Sequence, residues 1–144
     1  MKTALLTLAA VALISAAPGA QGAATKALAP LQGTWTITSI NGQDPAASGA
    51  AMTITFTDDK YTQTVNGTVN ERGTVKLGTD KKFTTIDLAI TEGDDANKLQ
   101  VGLVEVSGST MKLKLALPGQ TTRPTDFAAS EGAILALLTK NVKG

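Results

Sequence analysis

The chain has 144 residues, no cysteine and no histidine, a formal net charge of +1, and only Trp35, Tyr61 and three phenylalanines as aromatics. Without Cys or His, disulfide staples, Ser–His and Cys–His nucleophilic chemistry and His-ligated zinc are excluded. Scattered basic residues on a near-neutral chain with few aromatics give neither the electrostatic footprint nor the stacking surface that nucleic acid requires.

The N-terminus has the pattern of an export signal. Lys2 supplies the positive start, Ala4 to Ala17 is an almost unbroken small-apolar run, and Pro18-Gly19 ends it. Ala20 and Gly22 suit cleavage before Ala23; Gly22 and Ala24 suit cleavage before Thr25. The run is shorter than the ~20 apolar residues of a spanning helix. The expected organisation is a signal peptide over 1–22, an exposed lead-in over 23–30 and one folded domain over 31–144. The expected location is outside the cytoplasm, periplasmic or secreted, with no transmembrane span after cleavage. The mature chain keeps roughly 120 residues, enough to bury a core without crosslinks. Removing Lys2 takes its formal charge from +1 to 0.

The mature chain reads as short strands. Thr34 to Ile40 alternates Trp35 and Ile37 with threonines and is the first. Asn41 to Ala51 is a loop rich in Gly, Ala, Pro and Asp. Met52 to Thr57 alternates strictly, the signature of a half-buried strand. Asp58-Asp59 turns the chain into a third strand, Tyr61 to Val65, with Tyr61, Gln63 and Val65 on one face. Asn66-Gly67 is the strongest hairpin signal and leads to Val69 to Leu77, where Gly73 marks a bulge. Gly78 to Lys82 reads as a turn. Phe83 to Ile90 follows with Ile86, Leu88 and Ile90 inward and Asp87 outward. Thr91 to Asn97 is a polar loop, and Lys98 to Val106 alternates at Leu99, Val101 and Leu103. Thr110 to Leu117 places Met111, Leu113 and Leu115 on one face, Lys112 and Lys114 on the other. After a long connector, Pro118 to Gly132, the run Ala133 to Lys140 fits either a helix or an eighth strand; a strand is the reading adopted.

Eight short strands with intervening turns predict an all-β sandwich or barrel. In up-and-down order the loops at Asp58-Asp59, Gly78 to Lys82 and Ser107 to Ser109 fall at one end. The loops Asn41 to Ala51, Thr91 to Asn97 and Pro118 to Gly132 fall at the other. One tight end and one loopy end suit an antiparallel up-and-down eight-stranded barrel, which side chains can fill or which can hold one small ligand.

Gly33-Thr34-Trp35 resembles the Gly-x-Trp signature of lipocalin-like barrels. Later segments follow in order: Thr85-Ile86-Asp87-Leu88, Thr91-Glu92-Gly93, Gly102-Leu103-Val104-Glu105, Met111-Lys112-Leu113, then Pro118-Gly119 through Arg123-Pro124-Thr125-Asp126-Phe127. The series, from Leu31 to about Lys140, resembles a lipocalin-like family of small secreted domains frequent in planctomycete bacteria. No activity is established for that family, so the resemblance carries over no catalytic residue. The chain departs from the family pattern at Val104, where an aromatic is common, and at Lys114, where a Cys is frequent. Thr34 to Gln43 also resembles the opening of the META domain of heat-shock lipoproteins, but that family's later Gly-Cys-Asn pattern is missing.

Trp35 is expected to plug the barrel base. In a closed barrel the last strand pairs with the first, which brings Lys140 near Trp35 as a cation over the indole. The candidate ligand-contacting residues are Ile54, Phe56, Tyr61, Ile86, Leu88, Leu103 and Met111 inside, with Arg123 at the mouth. Arg123 has a competing reading as a loop pin on Asp126, Glu131 or Glu105. Glu92, Asp94, Asp95 and Asn97 lack the alternating ligands and distal Glu of a calcium loop, so no metal and no cofactor is expected. A carboxylate pair for glycoside-type chemistry remains formally available, yet no spacing singles one out, and no Gly-rich phosphate loop follows a strand. Two functional readings follow. One is a non-catalytic, monomeric binding module for a small apolar or amphipathic molecule. The other is a filled barrel acting as an envelope structural or interaction module through its loops.

Overall fold

The structure is a computed structural model that describes residues 27–141; the expected signal peptide lies outside them. Eight strands follow in order: β1 (Gly33–Ile40), β2 (Met52–Thr57), β3 (Lys60–Val65), β4 (Thr68–Asp80), β5 (Phe83–Glu92), β6 (Leu99–Ser107), β7 (Thr110–Ala116) and β8 (Ala133–Lys140). Each pairs antiparallel with the next, and β8 closes on β1 with Trp35 opposite Lys140 and Thr36 opposite Thr139. The fold is a closed, all-antiparallel, eight-stranded β-barrel. Threonines and β-branched residues on alternate positions favour the pleated backbone. Asn66 and Gly67, with φ of 52° and 80°, make the left-handed two-residue turn that suits a twisted hairpin.

The last element is a strand because its register with both neighbours gives its apolar run a destination. Leu138 and Ala136 are buried among the core residues, and Leu137 is on the outer face. The β4–β5 hairpin is longer than expected. Gly78 pairs with Thr85 and Thr79 with Thr84, so the ladder continues to Asp80 and the turn shrinks to Lys81-Lys82. The loop asymmetry has one exception: the loopy end also holds the tight Asn66-Gly67 hairpin.

β6 overturns an expectation. Ile86 pairs with Gly102 and Leu88 with Gln100, while Val104 pairs with Leu113 and Val106 with Met111. Gln100, Gly102, Val104 and Val106 therefore face inward. Leu99, Val101 and Leu103 face out, with Leu103 opposite Lys114. Leu103 is nevertheless buried, as are Val101, Lys114 and Ala116. The connector between β7 and β8 is fixed to this flank. Arg123 Nη1 donates to the carbonyls of Ile86 (3.2 Å) and Gly102 (2.9 Å), and Phe127 meets Phe83 edge-to-face at 5.3 Å. A strand covered on both faces carries apolar residues in both phases, which is why alternation alone gave the wrong side.

Candidate functional site

The barrel interior has a tryptophan plug toward one end and a cavity above it. At the base, Trp35 is fully buried and its Nε1–H donates to Leu31 O at 2.7 Å. Leu31 ends a short 3-10 helix, Ala29–Leu31, and it and Leu28 close the bottom. Leu28, expected in an exposed lead-in, is buried because it joins this cap. Lys140 Nζ lies 5.6 Å from the indole centroid. Phe56, Ile86 and Met111 belong to the same packed core and sit near the strand ends that meet the short turns.

Above that plug lies a cavity of about 280 Å³. Its apolar wall comes from Ile37 and Ile40 on β1, Met52 and Ile54 on β2, Leu88 on β5, Leu113 and Leu115 on β7, and Ile134 and Ala136 on β8. The β1–β8 register slips between Ile37 and Ser39. This bulge lets Ile37 and Ile40, three residues apart, share one face, which strict alternation forbids. A second slip at Gln63/Thr64 makes Asn70 the extra residue of β4 and leaves it at the rim.

The opposite wall is polar: Tyr61, Gln63, Asn70, Glu71, Asp95 and Gln100. Gln63 pairs with Glu71 and Tyr61 with Gly73, so Glu71 shares the inward face with the tyrosine. Tyr61 is buried and its hydroxyl donates to Glu71 Oε1 at 2.8 Å. Gly73 makes room for this ring; a Cβ there would collide with Ala89 O and approach Tyr61 Cε1 to 2.7 Å. Burial pushes the Tyr61 hydroxyl far above its usual range, and its bond to Glu71 and that group's charge push the same way. Burial also raises the Glu71 carboxyl; the Tyr61 hydrogen bond opposes this and the charge of Asp95 adds to it. Asp95 itself is paired with Lys98 Nζ at 2.9 Å. Gln100 is buried and its Nε2 donates to Ala116 O at 3.0 Å.

The residues singled out from sequence divide accordingly. Ile54, Tyr61 and Leu88 line the cavity. Phe56, Ile86 and Met111 face inward but are packed in the core beneath it. Leu103 is on the wrong face, as the β6 register dictates. Arg123 is not at the mouth: its Nη2 sits 2.7 Å from Asp87 Oδ1 on the outside of β5. It is a loop pin, but its partner is Asp87, and not Asp126, Glu131 or Glu105. Of the two carboxylates on the wall, Asp95 belongs to the Glu92 to Asn97 loop considered for calcium, whereas Glu71 is not among the residues singled out from sequence, although the Val75–Leu77 alternation continued backward through Gly73 falls on it.

This arrangement sets an aliphatic wall opposite a row of hydrogen-bonding groups. Among the described residues no cluster of three or more Asp, Glu, His or Cys gathers to hold a metal, and no helix is long and apolar enough to cross a membrane. A larger hollow, about 460 Å³, lies at the base between Ala27, Leu28, Asp59 and the Thr74 to Leu77 stretch of β4.

No curated protein and no solved structure matches the chain. The lipocalin-like domain does match, over residues 31–113, from the residue that caps Trp35 to the middle of β7. That span covers more than half of the chain and includes both the plug and the polar wall. The chain belongs to the lipocalin-like domain family.

Proposed function

We propose that this chain is an exported, non-catalytic, monomeric lipocalin-like protein that holds a small apolar or amphipathic molecule in the upper half of its barrel. The observation that carries the reading is the division of the interior. The base is plugged by Trp35 with Leu28 and Leu31, whereas the half nearer the long loops keeps a cavity of about 280 Å³ with one aliphatic and one polar wall. That volume is near the lower end of the ~300–1,000 Å³ range of ligand pockets, which points to a molecule smaller than a typical drug. Export is supported by the Lys2 start and the Ala4 to Ala17 run. A monomer is supported by closure, since a barrel has no free edge strand to pair with another chain. The likeness to small secreted domains agrees with both. The competing reading, a filled barrel working through its loops, needs an upper half as solid as the base.

Native mass spectrometry of the protein recovered from its own host, followed by organic extraction, tests this reading. The expected result is a monomer, trimmed near Ala23 or Thr25, carrying an extractable small molecule. Repeated recovery of ligand-free protein would count against the cup.

A further inference from the structure

We propose that the cavity selects cationic amphiphiles: a small apolar body bearing a protonated amine, seated with its ammonium against Glu71. The inference deepens the reading of the cavity as a ligand site and rests on it. Its basis is an inventory of charges and hydrogen-bonding groups on the cavity wall.

The lining carries two carboxylates, Glu71 and Asp95, and no Lys or Arg. Asp95 is already paired with Lys98, whose ammonium approaches it at 2.9 Å. Among the described residues the ion pairs are Arg72–Glu92, Lys98–Asp95 and Arg123–Asp87. Glu71 belongs to none of them. Its neighbour Arg72 pairs with Glu92 across the strand, on the exposed side of the sheet. Glu71 is thus a carboxylate facing a largely apolar cavity, with a tyrosine hydroxyl as its one hydrogen-bond donor.

Two of the donors on that wall are engaged as well. The Tyr61 hydroxyl hydrogen goes to Glu71, and Gln100 Nε2 donates to Ala116 O. What these groups still offer a guest is acceptor capacity: carboxylate oxygens and the tyrosine oxygen. Gln63 and Asn70 can supply either role. A guest that donates and carries positive charge completes this set, whereas a carboxylate guest meets like charge and no free cation. An ammonium leaves water only where it gains a charged partner, and Glu71 supplies one.

The depth of the groups fixes the orientation. Glu71 lies near the loopy end of β4, beside Asn70 and within the field of Asp95. Ile54, Leu88 and Leu113 are buried in the core, whereas Glu71 is only half-buried. The amine therefore sits near the mouth and the apolar body points down. The raised Glu71 carboxyl agrees with this geometry: in the empty protein its charge is held at a cost, which a cationic guest would relieve.

The test is isothermal titration calorimetry near neutral pH with three probes of equal chain length, n-octylamine, n-octanol and octanoate, on the wild type and on Glu71→Gln. The expected wild-type order is amine, then alcohol, then acid, with about tenfold or more between amine and alcohol, as for a partly buried charge pair. Glu71→Gln should remove that preference while leaving octanol affinity within about twofold. Asp95→Asn should weaken the amine preference less than Glu71→Gln does, because Asp95 is already paired with Lys98. Equal binding of all three probes, or tightest binding of octanoate, overturns the cationic preference and leaves the cup standing. An amine preference that survives Glu71→Gln also overturns it. If no probe binds wild type, the cup reading fails and the inference fails with it. Circular dichroism of Glu71→Gln confirms that a lost preference is not a lost fold.

Discussion

Trp35 combines two roles on one side chain: its ring fills the base and its Nε1–H satisfies the carbonyl that ends the 3-10 helix. Trp35→Ala should therefore cost about 3–5 kcal/mol in urea unfolding, the range for a buried large aromatic. A loss below ~1 kcal/mol, the scale of surface substitutions, would contradict the plug. The Lys140 ammonium over the ring adds only about 0.5–1 kcal/mol. Glu71 acts in the opposite direction. Its carboxyl is raised by burial, with Tyr61 pulling down and Asp95 pushing up; the groups facing it are the neutral Tyr61 hydroxyl from β3 and the charged Asp95, with its partner Lys98, from the β5–β6 loop. A carboxyl raised in the folded state favours folding below the ordinary carboxylate pKa of about 4.3. That contribution is lost as pH rises through the raised value. Glu71→Gln should then be more stable than wild type at neutral pH, with the difference vanishing toward pH ~4. Unfolding curves at several pH values check this; a neutral-pH loss of stability would mean that the charge is satisfied in the empty protein.

At the scale of elements, the connector between β7 and β8 acts as a cover for one flank of the barrel. Arg123 ties it down through Asp87 and two strand carbonyls. Arg123→Ala removes the guanidinium that sits 2.7 Å from Asp87 Oδ1, a buried oxygen with no hydrogen bond of its own, and should cost about 1–3 kcal/mol. Hydrogen exchange should speed up across residues 118–132 first; unchanged protection there would contradict the pin. Leu103, under this flank, should lose about 2–5 kcal/mol on Leu103→Ala while leaving octanol affinity unchanged, because it faces away from the cavity. A weakened octanol affinity would return Leu103 to the interior. These elements also mark how far the sequence could be read. Strands with one wet face, such as Met52–Thr57, announce their inner residues by alternation. β6 is wrapped on both sides, so Leu103 and Val104 are equally apolar and the phase is hidden. The Asp87–Arg123 tie joins positions far apart in the chain, and neither residue alone indicates the other. The bulge that turns Ile40 inward has no signature in Thr36-Ile37-Thr38-Ser39-Ile40, since the slip is set by pairing with β8.

For the whole molecule, closure is what makes the rest possible. With β8 zipped to β1, every strand has two neighbours and both ends of the barrel are defined. The apolar alternation, the turn residues and the loop lengths made the barrel readable in advance. The filling was not readable, because depth along the barrel axis depends on strand stagger and bulges more than on residue type. Thus Phe56, Ile86 and Met111 pack the base, while Ile37, Ile134 and Glu71 surround the space above it. The isoleucines sample both regions and give the most direct measurement: titration of protein labelled at its isoleucine δ1 methyls with n-octanol, followed by carbon–proton correlation spectra. The account predicts that Ile37, Ile40, Ile54 and Ile134 shift together and saturate, while Ile86 in the packed base stays fixed. Silence at those four methyls, or equal movement of Ile86, would contradict a barrel hollow above a solid floor.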